Sequence, residues 1–244
     1  MKLVTTPEWL GDVPSTPPNY DYSRIVPVEG VSLRHINIRH FSDGELPDYL
    51  AEVLAETDVF APELPGWDDW SSKRVQKIAN GDYKALQQIK GSGDRAVPEA
   101  AAYNNFVMGQ LFNSKVKVAF VDVKRGSQGF RRIEQLMSRP TTEMLRAGHI
   151  EREQFVLESL CERLRDYRRN TTGELRVAMT FGVMHMAMAD GYNEAARVHG
   201  VEDTSAVSEY EDVFSHMTSE LDQASAQILL DYQSWLREST ETDL

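Results

Sequence analysis

The stretch Glu174–Gly200, ELRVAMTFGVMHMAMADGYNEAARVHG, decides how this chain is read. From Leu175 to Phe181 it is apolar except at Arg176 and Thr180, and it has the length of a buried strand. The apolar run stops at Gly182, His185 follows three residues later, and Met186 to Val198 has helix-compatible spacing closed by Gly200. Strand, glycine turn and helix together carry a polar side chain to the carboxyl end of a strand, where the sites of α/β sheets form. Glycine at the turn permits backbone dihedrals that other residues resist and lets a ligand approach closely. Two roles are open to His185: a group of such a site, or a cap that bonds a neighbouring loop.

Working outward, three more strand-length runs predict the rest of a sheet. Val31–His40, VSLRHINIRH, is rich in β-branched residues, Asp58–Leu64 is short and ends at a carboxylate, and Lys115–Val123, KVKVAFVDV, is the clearest strand pattern. Between them the spacing predicts amphipathic helices over Leu46–Thr57, Trp70–Ile89, Pro98–Phe112, Phe130–Ser138 and Ile150–Arg168. The fold expectation is therefore α/β: a mixed central sheet flanked by helices, with a helical insertion at about 67–113. A further strand is expected within Val201–Val207. Met217–Leu236 predicts a C-terminal amphipathic helix, extending to about 238, whose stripe of Leu221, Ile228, Leu229 and Trp235 packs on the domain or forms a homodimer. Residues 1–27 hold five of the ten prolines and read as an extended arm, anchored by Trp9, Leu10, Tyr20 and Tyr22, on a single domain spanning 28–244.

Lys and Arg number 26 against 38 Asp and Glu, a formal charge of −12 that argues against a general nucleic-acid surface, because such a surface must neutralise phosphates. No apolar run approaches twenty residues, so no membrane span is expected, and the amino terminus lacks the apolar core of a secretory leader. With one cysteine, Cys161, there is no internal disulfide, and its helical context reads as core filler. A cytoplasmic protein is expected.

Three polar side chains fall at expected strand ends: His40, Glu63 and His185. Two imidazoles and a carboxylate suit a divalent metal ion with open positions, which activates water near neutral pH. Arg152 is expected in the first turn of its helix, where the helix dipole disfavours a cation; that cost calls for a partner such as Glu63 or for solvation. Asp58 and Asp122 are open to supporting or capping roles, and His149, His199 and His216 to helix-terminal or surface ones. His35 lies on the opposite strand face from His40, so the two are not expected to share a site.

These residues, in this order, resemble the TraB, TIKI and erythromycin-esterase-like (ChaN-like) superfamily over roughly residues 31–205. The resemblance rests on His40-Phe41-Ser42-Asp43 with Leu46-Pro47, on Ala61-Pro62-Glu63-Leu64, on Arg152 within Glu151-Arg152-Glu153-Gln154-Phe155, and on Gly182-Val183-Met184-His185 with its trailing helix. It implies a metal-dependent hydrolase acting on a peptide or ester bond, with His40, Glu63 and His185 on the metal and Arg152 orienting Glu63 or steadying an oxyanion. The first motif reads Asn37-Ile38-Arg39-His40, so the family's glycine is missing and an arginine, Arg39, stands in place of a small residue. That departure, with the acidic surface, keeps a second expectation in view: a non-enzymatic binding or regulatory protein on the same scaffold. The partners expected are a small-molecule or peptide substrate, or another protein.

Overall fold

The computed structural model describes residues 3–4, 20–38, 49–91, 107–137, 142–182 and 185–211. The strands are β1 (Leu3–Val4), β2 (Val31–Ile38), β3 (Val59–Pro62), β4 (Lys117–Val118), β5 (Leu175–Gly182) and β6 (Ser205–Glu211). They form one sheet in the order β1-β6-β2-β5-β3-β4. Every pairing is parallel except that of β1 with β6, so the sheet is mixed. The helices are α1 (Tyr49–Ala55), α2 (Asp69–Ala79), α3 (Tyr83–Gly91), α4 (Gln128–Met137), α5 (Thr142–Arg168) and α6 (Met188–His199). This is the expected α/β architecture, with Val177 and Val118 in one sheet: β3 pairs Val59 with Val177 and Phe60 with Val118.

A parallel sheet must be covered on both faces, and alternation along the strands sorts the side chains between them. Val31, Leu33, Val59, Ala61, Leu175, Val177, Met179 and Phe181 pack against α5 and α6 through Val156, Leu157, Leu160, Leu164, Met188 and Tyr192. Ile36, Ile38, Phe60, Val118 and Ala178 face the other way, onto Leu50 and Leu54 of α1 and Val75 and Ile78 of α2. Cys161 is buried in the first of these layers, and burial pushes its thiol up to about 12, as a core residue should be.

Two expectations are corrected. The ladder of β4 is two residues long rather than spanning Lys115–Val123. Ala119 N–H donates to Phe60 O, but the next donor owed by β3 to this edge belongs to Pro62, which has no N–H. The chain leaves the ladder there and touches again only at the Trp67–Lys124 bridge. The helix expected over Trp70–Ile89 is two helices, α2 and α3, because Gly81 takes φ +85° and Asp82 accepts the Ala85 N–H to start the second.

The proline-rich arm is docked where it is described. Leu3–Val4 extends the sheet, and Tyr20 and Ile25 enter the core. Trp9, Leu10, Arg39, His40 and the Met217–Leu236 stripe lie outside the described residues. No described helix is long and apolar enough to cross a membrane.

Candidate functional site

Along each element that lines the α5 side of the sheet, the inward stripe turns from apolar to polar at the same level. In β2, Val31 and Leu33 give way to His35 and Asn37, and in β3, Val59 and Ala61 give way to Glu63, where the chain leaves the strand. Strand β5 ends at Gly182, and His185 stands beyond it. Helix α5 leads through a short turn into β5 and so runs back along the sheet; its stripe of Leu164, Cys161, Leu160, Leu157 and Val156 continues as Glu153, Arg152 and His149. Positions i, i+3 and i+4 share a helix face. All of these polar groups therefore meet at the carboxyl edge of the parallel strands.

Arg152 is the hub. Its Nε donates to Asp122 Oδ1 at 3.0 Å and its Nη2 to Asp122 Oδ2 at 2.6 Å, a two-pronged pair. Nη2 also donates to Glu63 Oε1 at 2.8 Å, and Nη1 lies 3.3 Å from His185 Nε2. Glu63 is held from behind as well, since Gly182 N–H donates to its Oε2 at 2.8 Å. Burial disfavours the guanidinium charge, but Glu63 and Asp122 outweigh it and raise the Arg152 pKa. A planar fork can meet two carboxylates and a ring in this way; an ammonium cannot.

His185 is 3% exposed. Its Nδ1 faces Glu153 Oε1 at 2.9 Å, and Glu153 Oε2 accepts the Tyr20 hydroxyl at 2.5 Å. Its Nε2 stands 3.6 Å from Glu63 Oε1, an ion-pair distance longer than a hydrogen bond. Burial lowers its pKa, yet the contacts with Glu153 and Glu63 prevail and raise it to about 9. The two neighbouring histidines shift the other way. Burial first, then the charge of His185, lowers His149 to about 4 and His35 to about 3. The His149 and His185 rings are 5.3 Å apart, and Phe181 lies between His185 and His35 with centroid distances of 5.7 and 6.3 Å. Among the described residues, neither ring nitrogen of His35 nor the Oδ1 of Asn37, all buried, has a hydrogen-bond partner.

Of the four site residues expected from sequence, the structure brings Glu63, Arg152 and His185 together, while His40 lies outside the described residues. The partner expected for Arg152 is present, though for a different reason. Helix α5 begins at Thr142, so Arg152 is well inside it, and burial rather than the dipole demands a carboxylate. The same extension of α5 corrects the reading of His149, which sits beside His185 rather than at a helix end. His35, set apart from a site shared with His40, faces the His185 side. Asp122 both caps Val123 N–H and grips Arg152, whereas Asp58 pairs with Arg176 at the opposite strand end. The sequence gives Tyr20 only as an anchor of the arm and Glu153 no role in the site. The spacing of His149, Arg152 and Glu153 in line with Val156 and Leu157 was the available signal for Glu153; Tyr20 carried none.

No protein-family model, curated protein or solved structure matches this chain.

Proposed function

We propose that this chain is a metal-dependent hydrolase of the TraB/TIKI-like type that cleaves a peptide or ester bond. The observation that carries this reading is the meeting of Glu63, Arg152 and His185 at the carboxyl edge of the parallel strands, from three separate elements. A divalent ion fits the residues present. The buried carboxylates of Glu63 and Asp122 pair with the Arg152 guanidinium and that of Glu153 faces His185, so three carboxylates stand against one guanidinium with imidazole nitrogens among them. His185 and a neighbouring carboxylate would hold it, and its chemistry would be to lower the pKa of water and polarise a carbonyl.

The side chains supply the rest. Arg152 fixes Glu63 and lies against the Nε2 edge of His185. Glu153, itself held by Tyr20, faces Nδ1 and sets the orientation of the His185 ring. The purified chain should hydrolyse a nitrophenyl ester or a fluorogenic peptide, gain rate with added divalent metal, and lose it with chelator or with His185→Ala. Absence of any turnover in the presence of metal would remove the hydrolase reading.

The alternative, a non-enzymatic binding or regulatory protein, is favoured by one observation: both oxygens of Glu63 and both of Asp122 already have partners. On that reading the same preparation binds metal or a small ligand and turns nothing over.

A further inference from the structure

We infer that a divalent transition-metal ion is bound by His149, Glu153 and His185, with Tyr20, Glu63 and Arg152 as the groups that orient those ligands. The inference rests on the metal-dependent reading above and names the donor set that the strand-end motifs do not supply. One potential ligand atom from each of the three residues lies within 4.8 Å of the others. His149 and Glu153 are one helical turn apart on the same face of α5, the spacing by which a helix presents two ligands to one ion.

The orientation of the groups matters more than their proximity. Glu153 Oε1 and His185 Nδ1 point at each other across 2.9 Å, and the atoms that look away from that gap are tied. Glu153 Oε2 accepts the Tyr20 hydroxyl, and His185 Nε2 abuts Arg152 Nη1 and Glu63 Oε1. The Tyr20 hydroxyl fixes the carboxylate angle of Glu153, and the Glu63 carboxylate 3.6 Å from His185 Nε2 favours the proton that ligation through Nδ1 leaves on that nitrogen. The proton between Nδ1 and Oε1 occupies the place that a cation takes on displacing it. Glu63 is built differently: Arg152 holds one oxygen and Gly182 N–H the other, which makes it a positioning residue rather than the best ligand.

Two imidazoles and one carboxylate suit zinc, cobalt or nickel, and disfavour magnesium and calcium, which take oxygen. Three protein ligands leave a coordination position open, as a site that activates water requires. The hydrogen bond from Tyr20 to Glu153 also ties the amino-terminal arm to the site.

The full chain, stripped of metal, is titrated with Co²⁺ and Zn²⁺, with binding followed by Co²⁺ absorption and by competition with a chromophoric chelator. One equivalent is expected. His149→Cys should keep the ion and add a thiolate-to-cobalt charge-transfer band absent from the wild type, whose only cysteine, Cys161, is buried in the core. Tyr20→Phe should weaken Zn²⁺ by about 10- to 100-fold, and Glu63→Gln should leave the stoichiometry at one. Circular dichroism and thermal unfolding of each variant separate lost ligands from lost fold, and the half-buried position of His149 makes its substitution the mildest. No bound Co²⁺, or one equivalent that shows no new band in folded His149→Cys and is lost in Glu63→Gln, overturns the assignment. Bound metal with no ester or peptide turnover leaves the site standing and removes the hydrolase. Metal-stimulated turnover that survives His149→Ala does the reverse.

Discussion

His35 is fully buried in the central strand β2, and neither ring nitrogen has a hydrogen-bond partner among the described residues. Burial and the nearby charge of His185 lower its pKa from 6.5 to about 3. The folded protein therefore keeps this ring neutral where the unfolded chain protonates it. A base whose folded pKa is depressed gives stability that is fully present above pH 6.5 and is lost as pH falls toward 3, because the unfolded state binds the extra proton. Between pH 7.5 and 5.0 the loss attributable to this one ring is about 2 kcal/mol. That figure hardly changes if the folded pKa is one unit higher, since the folded ring is then still neutral at pH 5. His149, lowered to about 4, acts in the same direction, and His185, raised to about 9, acts oppositely, so the wild-type curve alone mixes three rings. The difference between wild type and His35→Leu isolates the one. Urea unfolding at the two pH values should show the variant at least as stable as wild type at pH 7.5, because an unpaired buried ring is replaced by an apolar group. On moving to pH 5.0 it should lose about 2 kcal/mol less than wild type. Equal losses in the two proteins would mean that His35 is not held neutral, and the reasoning would fail.

Arg152→Met should cost about 3–5 kcal/mol in chemical denaturation, because Glu63 and Asp122 are left buried without their cation. Arg152→Lys should recover only part of this, and full recovery would show that the two-pronged geometry is unimportant. Gly191→Ala should lower the melting temperature despite the helical site, since a Cβ there would fall 2.8 Å from Cδ2 of the buried Tyr20 ring; an unchanged or raised melting temperature would show that Tyr20 is not seated as described. The Cys161 thiol, buried and pushed up to about 12, should resist a disulfide reagent at pH 8 until denaturant unfolds the chain. Rapid labelling of the native protein would contradict its place in the core.

Much of the architecture was legible because it follows from local periodicity. Apolar runs of strand length at Val31, Val59 and Leu175 became β2, β3 and β5, and Gly200 closed α6 with φ +63° as the sequence suggested. Where the reading failed, a partner strand or a neighbouring turn decided. KVKVAFVDV has the alternation of a long strand, but its ladder ends at two residues because Pro62, on the strand beside it, has no N–H to offer. The break in the helix at Gly81 was present in the letters and was outweighed by the apolar spacing on either side.

The candidate site divides along the same line. The chain alone determined that Glu63 and His185 stand just past the ends of strands, because strand length and turn residues are local properties; that Arg152 needs a carboxylate follows from its burial inside α5, which the tertiary structure decided. Tertiary structure alone decided that Glu63, Asp122, Arg152, Glu153 and His185 share one buried cluster, that His149 stands at its edge, and that Tyr20 reaches across 133 residues to hold Glu153. No local rule carries that information. It depends on the strand order, which places β5 between β2 and β3, and on the direction of α5, which runs back along the sheet so that its polar end meets the carboxyl ends of the strands.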